Sequence, residues 1–262
     1  MVKFANTVKH LARPKVVFVG GGPVGVGFLE ILGNLDANKI ISLEGGLIKG
    51  ILSTSDDLIV STLSSIGKKV FCDLEEVLSV DPDVIFSAGN SHIFKIDTIN
   101  RVPGGIINFH AAPLPEYKGS ACAAYAILNK EKEFGATFHL INEDLDSGPI
   151  LHVEKFPILE RYSSEDLDRN SIESGFNAMV RMGVSLFDGS IKKDFQVCKK
   201  RAFRREELEP YRHISLDWDS EDIWRHVRAF DWEGVLEPAY ITLPNGNRVY
   251  LTKKSKSNRH IN

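Results

Sequence analysis

The chain has 262 residues, 43% hydrophobic and 26% charged, which is long enough for a substantial buried core and excludes disordered, collagen-like and coiled-coil readings. Lys and Arg number 32 against 35 Asp and Glu, a net charge of −3, so no global field steers the chain to nucleic acid or to an anionic membrane. No apolar run is long enough to span a bilayer, and Met1 to Pro14 lacks the continuous apolar segment of a signal peptide; the expectation is a cytoplasmic chain with no membrane partner.

Taken in order, Val16 to Val19 is a short apolar run that reads as a buried strand, followed by glycines and by Pro23, which suits a first helical turn. Asn38–Gly45, Asp83–Gly89 and Gly104–His110 read as further strands, with helices over Asp56–Ile66 and Leu74–Val80. Strands alternating with helices predict an α/β fold with a Rossmann-like, mostly parallel sheet. After His110 comes a loop with Pro113 and Pro115, an alanine-rich helix over Ser120–Lys130, and strands over Phe134–Ile141 and Gly148–Phe156. Ser163 followed by Asp166 has the spacing of a capping box, and Ile172, Phe176, Met179, Gly183 and Phe187 then recur at helical spacing as a core-facing stripe.

Lys192 to His213 is charged and irregular and reads as a linker, which places a boundary near residue 200 between a larger domain (1–200) and a small extension (201–262). The extension contains an amphipathic helix capped by Asp219 or Ser220, then two β-rich runs around Asn245-Gly246, a hairpin signal. A helix with Ile223, Val227 and Phe230 on one face must dock on the core or on a second subunit, and an isolated hairpin is marginal in water; a homodimer paired through this region answers both needs.

Three cysteines (Cys72, Cys122, Cys198) form no CxxC pair, so they read as ordinary thiols, with neither a disulfide framework nor a metal site. Gly20-x-Gly22-x-x-Gly25 after a strand fits the dinucleotide fingerprint, with Glu44 the nearby acidic residue. A helix N-terminus binding another phosphate, or a plain tight turn, fits it as well. The informative stretch is Gly105–Leu151. Asn108 and His110, two apart at a strand end, face the same side, where open α/β sheets bind ligands. Asp146 sits in a loop after another strand. An amide donor, an imidazole and an orienting carboxylate form a set suited to acyl transfer without a nucleophilic Ser or Cys.

The same stretch, "GGIINFHAAPLPEYKGSACAAYAILNKEKEFGATFHLINEDLDSGPIL", resembles the core signature of the 10-formyltetrahydrofolate-dependent formyltransferases: N-x-H, LP-x-[YFW]-[KR]-G, G-x-T-x-H and D-x-G in order. "DPDVIFSAGNSHIFK" resembles that family's strand and folate-binding loop. One departure is Ala111-Ala112 where many members have Pro-Ser. The resemblance implies that Asn108 bonds the formyl oxygen, that His110 stabilises the developing charge and passes protons, and that Asp146 holds His110 and helps deprotonate the amine. It implies 10-formyltetrahydrofolate as co-substrate and no metal. Gly89, Asn90, Ser91, His92 and Ile93, with Asn142, Asp144 and Leu145, would bind the folate from two loops expected to leave strands at one sheet edge. His139 would be a strand residue near that pocket. Lys118, in the motif, and Trp232, which could stack a nucleobase, are the substrate-binding candidates.

The segment "ISLDWDSEDIWRHVRAFDWEG" is similar to one found in methionyl-tRNA and sugar-nucleotide formyltransferases. The tRNA enzymes add a β-barrel, whereas this chain has only a hairpin and a short basic tail (Lys253, Lys254, Lys256, Arg259). The expected substrate is a nucleotide-linked amino sugar of the kind used in lipopolysaccharide O-antigen, and nucleic acid is not expected as a partner. A tRNA formyltransferase-like enzyme without the barrel, a non-catalytic nucleotide-binding module and a dehydrogenase are the alternatives.

Overall fold

The computed structural model describes residues 12–48, 56–90, 92–196 and 201–253. The first half alternates as β1 (Lys15–Gly20), α1 (Gly22–Ala37), β2 (Ser42–Ile48), α2 (Asp56–Ser65), β3 (Lys69–Phe71), α3 (Leu74–Ser79), β4 (Val84–Ala88), α4 (Ile96–Asn100) and β5 (Ile106–His110). Then follow α5 (Cys122–Leu128), β6 (Glu133–Leu140), β7 (Ile150–Pro157), α6 (Ser164–Met182), α7 (Ser220–Ala229), β8 (Ala239–Thr242) and β9 (Arg248–Leu251). Seven strands form one sheet in the order β3-β2-β1-β4-β5-β6-β7. The first five are parallel, as the alternation predicts; β6 runs antiparallel to β5, and β7 antiparallel to β6. The fold is thus a mostly parallel α/β sheet with flanking helices and a separate β8-β9 hairpin at the C-terminal end of the described chain.

The second strand begins four residues later than its apolar pattern suggests. Helix α1 continues to Ala37, and Asn38 and Lys39 close it with backbone bonds to Asn34 and Asp36. Gly45, which read as the strand end, lies mid-strand, where neighbours press in: a Cβ on it would meet the Lys69 carbonyl oxygen at 2.3 Å. Glycine serves close approach again before α1, where a Cβ on Gly20 would lie 2.0 Å from the Ala88 oxygen, and one on Gly89 would lie 2.2 Å from the Gly21 oxygen. Packing of the turn after β1 against the end of β4 therefore accounts for the start of the glycine run.

The core on the α1/α6 side of the sheet centres on Phe28. Its ring lies 4.7 Å from those of Phe109 and Phe176 and 5.2 Å from that of Phe86, all at tilted or edge-on angles. Helix α6 starts with a complete Ser163–Asp166 capping box and stops at Gly183, whose φ is +54°. It lies close against the sheet because Gly175 has no side chain: a Cβ there would sit 2.2 Å from Phe109 Cε2. Phe109 points into this core, so by strand alternation Asn108 and His110 face the other way.

The extension does not stand apart. Leu208, Ile214, Val227, Phe230 and Ala239 share one buried cluster with Ala112, Tyr117, the α5 residues Ala123–Ile127 and Phe134. Asp219 caps α7, and the face of Val227 and Phe230 packs on α5 of the same chain. That apolar face is satisfied internally and requires no second subunit. The stretch read as an irregular linker contains a 3-10 helix over Arg205–Tyr211 and a parallel bridge from Phe203 to Gly119. Among the described residues no helix is long and apolar enough to cross a membrane.

Gly175→Ala should overpack the α6–sheet seam and cost about 1–3 kcal/mol. Denaturant unfolding with an unchanged m-value would measure it, and an unaltered midpoint would mean that Phe109 turns aside freely.

Candidate active site

Three adjacent strands present a row of polar side chains. Ser87 on β4 is paired with Asn108 on β5, and Asn108 with His139 on β6, while His110 pairs with Thr137. The paired positions share a face, so Asn108, His110 and His139 converge. Asp146 joins them from the β6–β7 loop: its Oδ2 lies 3.7 Å from His110 Nδ1, and its Oδ1 lies 3.6 Å from His139 Nε2. The positions singled out in the sequence as the acyl-transfer set are therefore brought together.

The route to this arrangement differs from the expected one. Because β6 is antiparallel, Leu140 lies beside Ile107, near the start of β5, and the loop after β6 does not leave from the edge where β4 and β5 end. The loop instead folds back. Gly148 permits this, since a Cβ there would lie 1.8 Å from the Leu140 oxygen. Asp146 takes a positive φ of 48°, a region that Asp tolerates better than most residues.

Hydrogen bonds assign the protons. His139 is completely buried. Its Nδ1–H donates to the Leu140 carbonyl at 3.0 Å, which leaves Nε2 to accept from the Asn108 amide at 3.2 Å. Burial drives its pKa down to about 4, against the pull of Asp146, so the ring is neutral at physiological pH. One Asn108 N–H is thereby fixed and the other remains to be offered. His110 Nε2–H donates to the Tyr117 carbonyl at 2.7 Å. In the neutral ring Nδ1 then carries the lone pair, on the side facing Asp146.

The orienting group for His110 is thus the Tyr117 backbone, which no sequence pattern names. The next residues complete the support. Gly119 N–H donates to Asp146 Oδ2 at 2.8 Å, and Lys118 Nζ donates to Ser147 Oγ at 2.9 Å. Lys118 is only 3% exposed, so the structure places this substrate-binding candidate behind the Asp146 loop. The Cys122 thiol lies 3.5 Å from the Tyr117 oxygen; burial, then the charge of Asp146, raises its pKa and keeps it a donor. Gln196 Nε2 donates to the backbone oxygens of Asp146 and Gly148 at 3.1 and 2.7 Å. The Ala111-Ala112 departure leaves the loop well held, because Thr137 Oγ1 bonds the Ala112 oxygen and the Leu114 N–H.

Of the folate candidates, Asn90 ties its loop to the end of β4 through Ser87 Oγ at 3.1 Å and accepts from the His92 N–H at 2.8 Å. Asn142 accepts from the Asp144 N–H at 3.2 Å. Ile93 and Leu145 are 84% and 63% exposed, apolar groups open to solvent on the two loops. Ser91, Cys198 and the tail residues Lys254, Lys256 and Arg259 lie outside the described residues. Trp232 is half-buried in the turn after α7, and among the described contacts none joins it to Asn108, His110 or Asp146. No cluster of three His, Cys, Asp or Glu among the described residues could hold a metal ion.

One acidic group was not anticipated. Burial of Asp168 on α6, reinforced by Glu165 and opposed by His110, raises its pKa to about 6. A carboxyl raised on folding adds stability below its unfolded pKa of about 3.9, and that contribution is lost as pH rises through about 6. Asp168→Asn should therefore be more stable than the wild type at neutral pH, by no more than about 3 kcal/mol, with the difference fading toward pH 4. Thermal unfolding at pH 4, 6 and 7.5 would show it, and a gap independent of pH would exclude the buried-charge explanation.

The formyl transferase family profile matches residues 73–182, which span β5, the Tyr117–Gly119 segment and the Asp146 loop. Among curated proteins the chain is similar to methionyl-tRNA formyltransferase of Dictyoglomus turgidum, 27% identical over 194 residues; the match covers 71% of this chain and 58% of that one. The chain thus spans less than two thirds of the length of such relatives. In fold it is similar to a sugar N-formyltransferase from a Shewanella species, with a TM-score of 0.74, 22% identity, and coverage of 93% of this chain and 98% of the other. It is also similar to an N-formyltransferase from Helicobacter canadensis, solved with folinic acid and dTDP-3-aminofucose, with a TM-score of 0.70, 23% identity, and coverage of 88% and 85%. Residues 73–182 thus match the formyl transferase profile, and the chain has the fold seen in the sugar N-formyltransferases.

Proposed function

We propose that this chain transfers the formyl group of 10-formyltetrahydrofolate to the amine of a nucleotide-linked amino sugar. The convergence of Asn108, His110 and Asp146, with His139 neutral behind Asn108, carries the reading. The folate supplies an activated formyl carbon on N10. The exposed Ile93 and Leu145 offer apolar contact on two loops, whose backbone groups and Asn90, Ser91, His92, Asn142 and Asp144 read the polar edge; Gly89 keeps the first loop close to the sheet.

During transfer the amine nitrogen bonds to the formyl carbon, the N10–carbon bond breaks, and one proton moves from the amine to N10. Asn108 donates its free N–H to the formyl oxygen as that oxygen gains charge, and His110 stabilises the same charge. Asp146 and His110, side by side, take the amine proton and pass it toward the leaving nitrogen.

A nucleotide sugar as acceptor is supported by the likeness to the Shewanella sugar enzyme, which reaches over 93% of this chain and so into the extension, and by the nucleotide sugar bound in the Helicobacter canadensis protein. Trp232 is the candidate for stacking the nucleobase. The product would be a formamido sugar nucleotide, made in the cytosol and suited to lipopolysaccharide O-antigen assembly. A methionyl-tRNA acceptor is the second reading, favoured by the sequence likeness to the tRNA enzymes. We also propose that the active form is a homodimer, built on residues such as Leu216 and Trp224, which stay exposed on the extension after α7 has docked.

Incubating the protein with 10-formyltetrahydrofolate and a panel of nucleotide-linked amino sugars should give, by mass spectrometry, one product heavier by CO. Formylation of methionyl-tRNA alone would overturn the sugar assignment. His110→Ala and Asp146→Ala should each lower kcat by about 10²–10⁴-fold while the fold survives. Asn108→Asp should be nearly as harmful, because it sets an acceptor against the His139 lone pair and removes the donor to the oxyanion. Near-wild-type turnover in any of the three would sink the mechanism. Light scattering should report a dimer that Trp224→Glu converts to monomer; a monomeric wild type would remove the dimer and leave the catalytic assignment standing.

A further inference from the structure

The segment between α6 and α7 makes backbone contacts at the centre of the candidate site. Phe203 N–H donates to the Lys118 oxygen at 2.8 Å, and the Phe203 oxygen accepts from Ser120 N–H at 3.0 Å. Its ring lies 5.3 Å from that of Tyr117 at an interplanar angle of 18°, and 4.3 Å from that of Tyr125 at 30°. Gly119 lies between these bonds with φ +89°; a Cβ there would meet the Phe203 oxygen at 2.2 Å. Phe203 is thus clasped against the residues whose Tyr117 oxygen holds His110 and whose Gly119 N–H holds Asp146. Gln196, in the same stretch of chain, bonds both oxygens that flank Ser147 in the Asp146 loop.

We infer that Phe203 and Gln196 are positioning residues for formyl transfer. Phe203 braces the Tyr117–Gly119 segment and so fixes the tautomer of His110 and its spacing from Asp146, while Gln196 fixes the loop from which Asp146 projects. Neither need touch substrate. This inference rests on the catalytic roles proposed for His110 and Asp146. A small displacement of reacting groups is enough for a large effect, since about 1 Å of misplacement costs on the order of 100-fold in rate. The chemistry of each brace differs. Phe203 acts through ring stacking and two main-chain bonds. Gln196 acts through a side-chain donor that a carboxylate of the same size cannot replace, because both of its partners are carbonyl oxygens.

The test uses the full chain. Phe203→Ala and Gln196→Ala should lower kcat by about 10- to 100-fold with KM for both substrates little changed. Phe203→Tyr, which keeps the stacked ring, should restore the rate, and Gln196→Glu should not. Independently of activity, ¹⁵N spectra of the His110 imidazole should show the Nε2–H tautomer in the neutral wild-type ring and a mixture of tautomers in Phe203→Ala. Should Phe203→Ala fail to fold, Gln196→Ala decides the kinetic question. A folded Phe203→Ala or Gln196→Ala variant with wild-type kcat would overturn the role of that residue. If the wild type forms no formylated product, the proposed function fails; the imidazole spectra would still show whether Phe203 fixes His110.

Discussion

The site depends on three consecutive backbone positions. The Tyr117 oxygen takes the Nε2 proton of His110, Gly119 N–H holds a carboxylate oxygen of Asp146, and Lys118 between them secures Ser147 on the same loop. The two side chains proposed to act on one proton are therefore referenced to a single short segment. Their relative placement does not depend on the 3.7 Å gap between them, which is too long for a hydrogen bond and leaves neither group locked to the other. Gly119 is required there because its φ is positive and because Phe203 approaches it too closely for any Cβ.

Burial does a second part of the work. His139 could compete with His110 for protons, but removal from water holds it neutral and turns it into an acceptor for Asn108. The two histidines, with ring centres 6.4 Å apart, thus divide into a buried orienting group and a partly exposed ring, the proposed acid–base. The reversal of β6 makes this possible. An antiparallel neighbour pairs His139 directly with Asn108, and the loop that follows then folds back to deliver Asp146.

The extension extends this logic into the second hydrophobic core. Helix α7 packs on α5, whose first residue, Cys122, also reaches the Tyr117–Gly119 carbonyls. The hairpin region is anchored as well, since His213 bridges Tyr240, and Lys253 binds the Asp166 capping carboxylate. Burial opposes ionisation of Asp166, but the Ser163 N–H and the Lys253 ammonium outweigh it and hold the pKa near 2. The start of α6, the hairpin and the Tyr117–Gly119 segment thus belong to one packed unit.

The sequence by itself determined what rests on local rules. Short apolar runs marked the strands, the Ser163–Asp166 spacing set the start of α6, Asn245-Gly246 marked the hairpin, and Asn108 and His110 shared a face because strand geometry leaves no other choice. Only the tertiary structure decided the rest. The antiparallel sense of β6, the fold-back of the Asp146 loop, the buried posture of Lys118 and the Tyr117 carbonyl beneath His110 are all long-range. Backbone carbonyls leave no trace in residue identity, and strand direction is set by which edge is free when the chain returns. Phe203 and Gln196 sit in a charged stretch whose composition resembles a linker, and their partners lie at least 48 positions away. Such pairings are chosen by three-dimensional packing, and no local pattern of one chain encodes them.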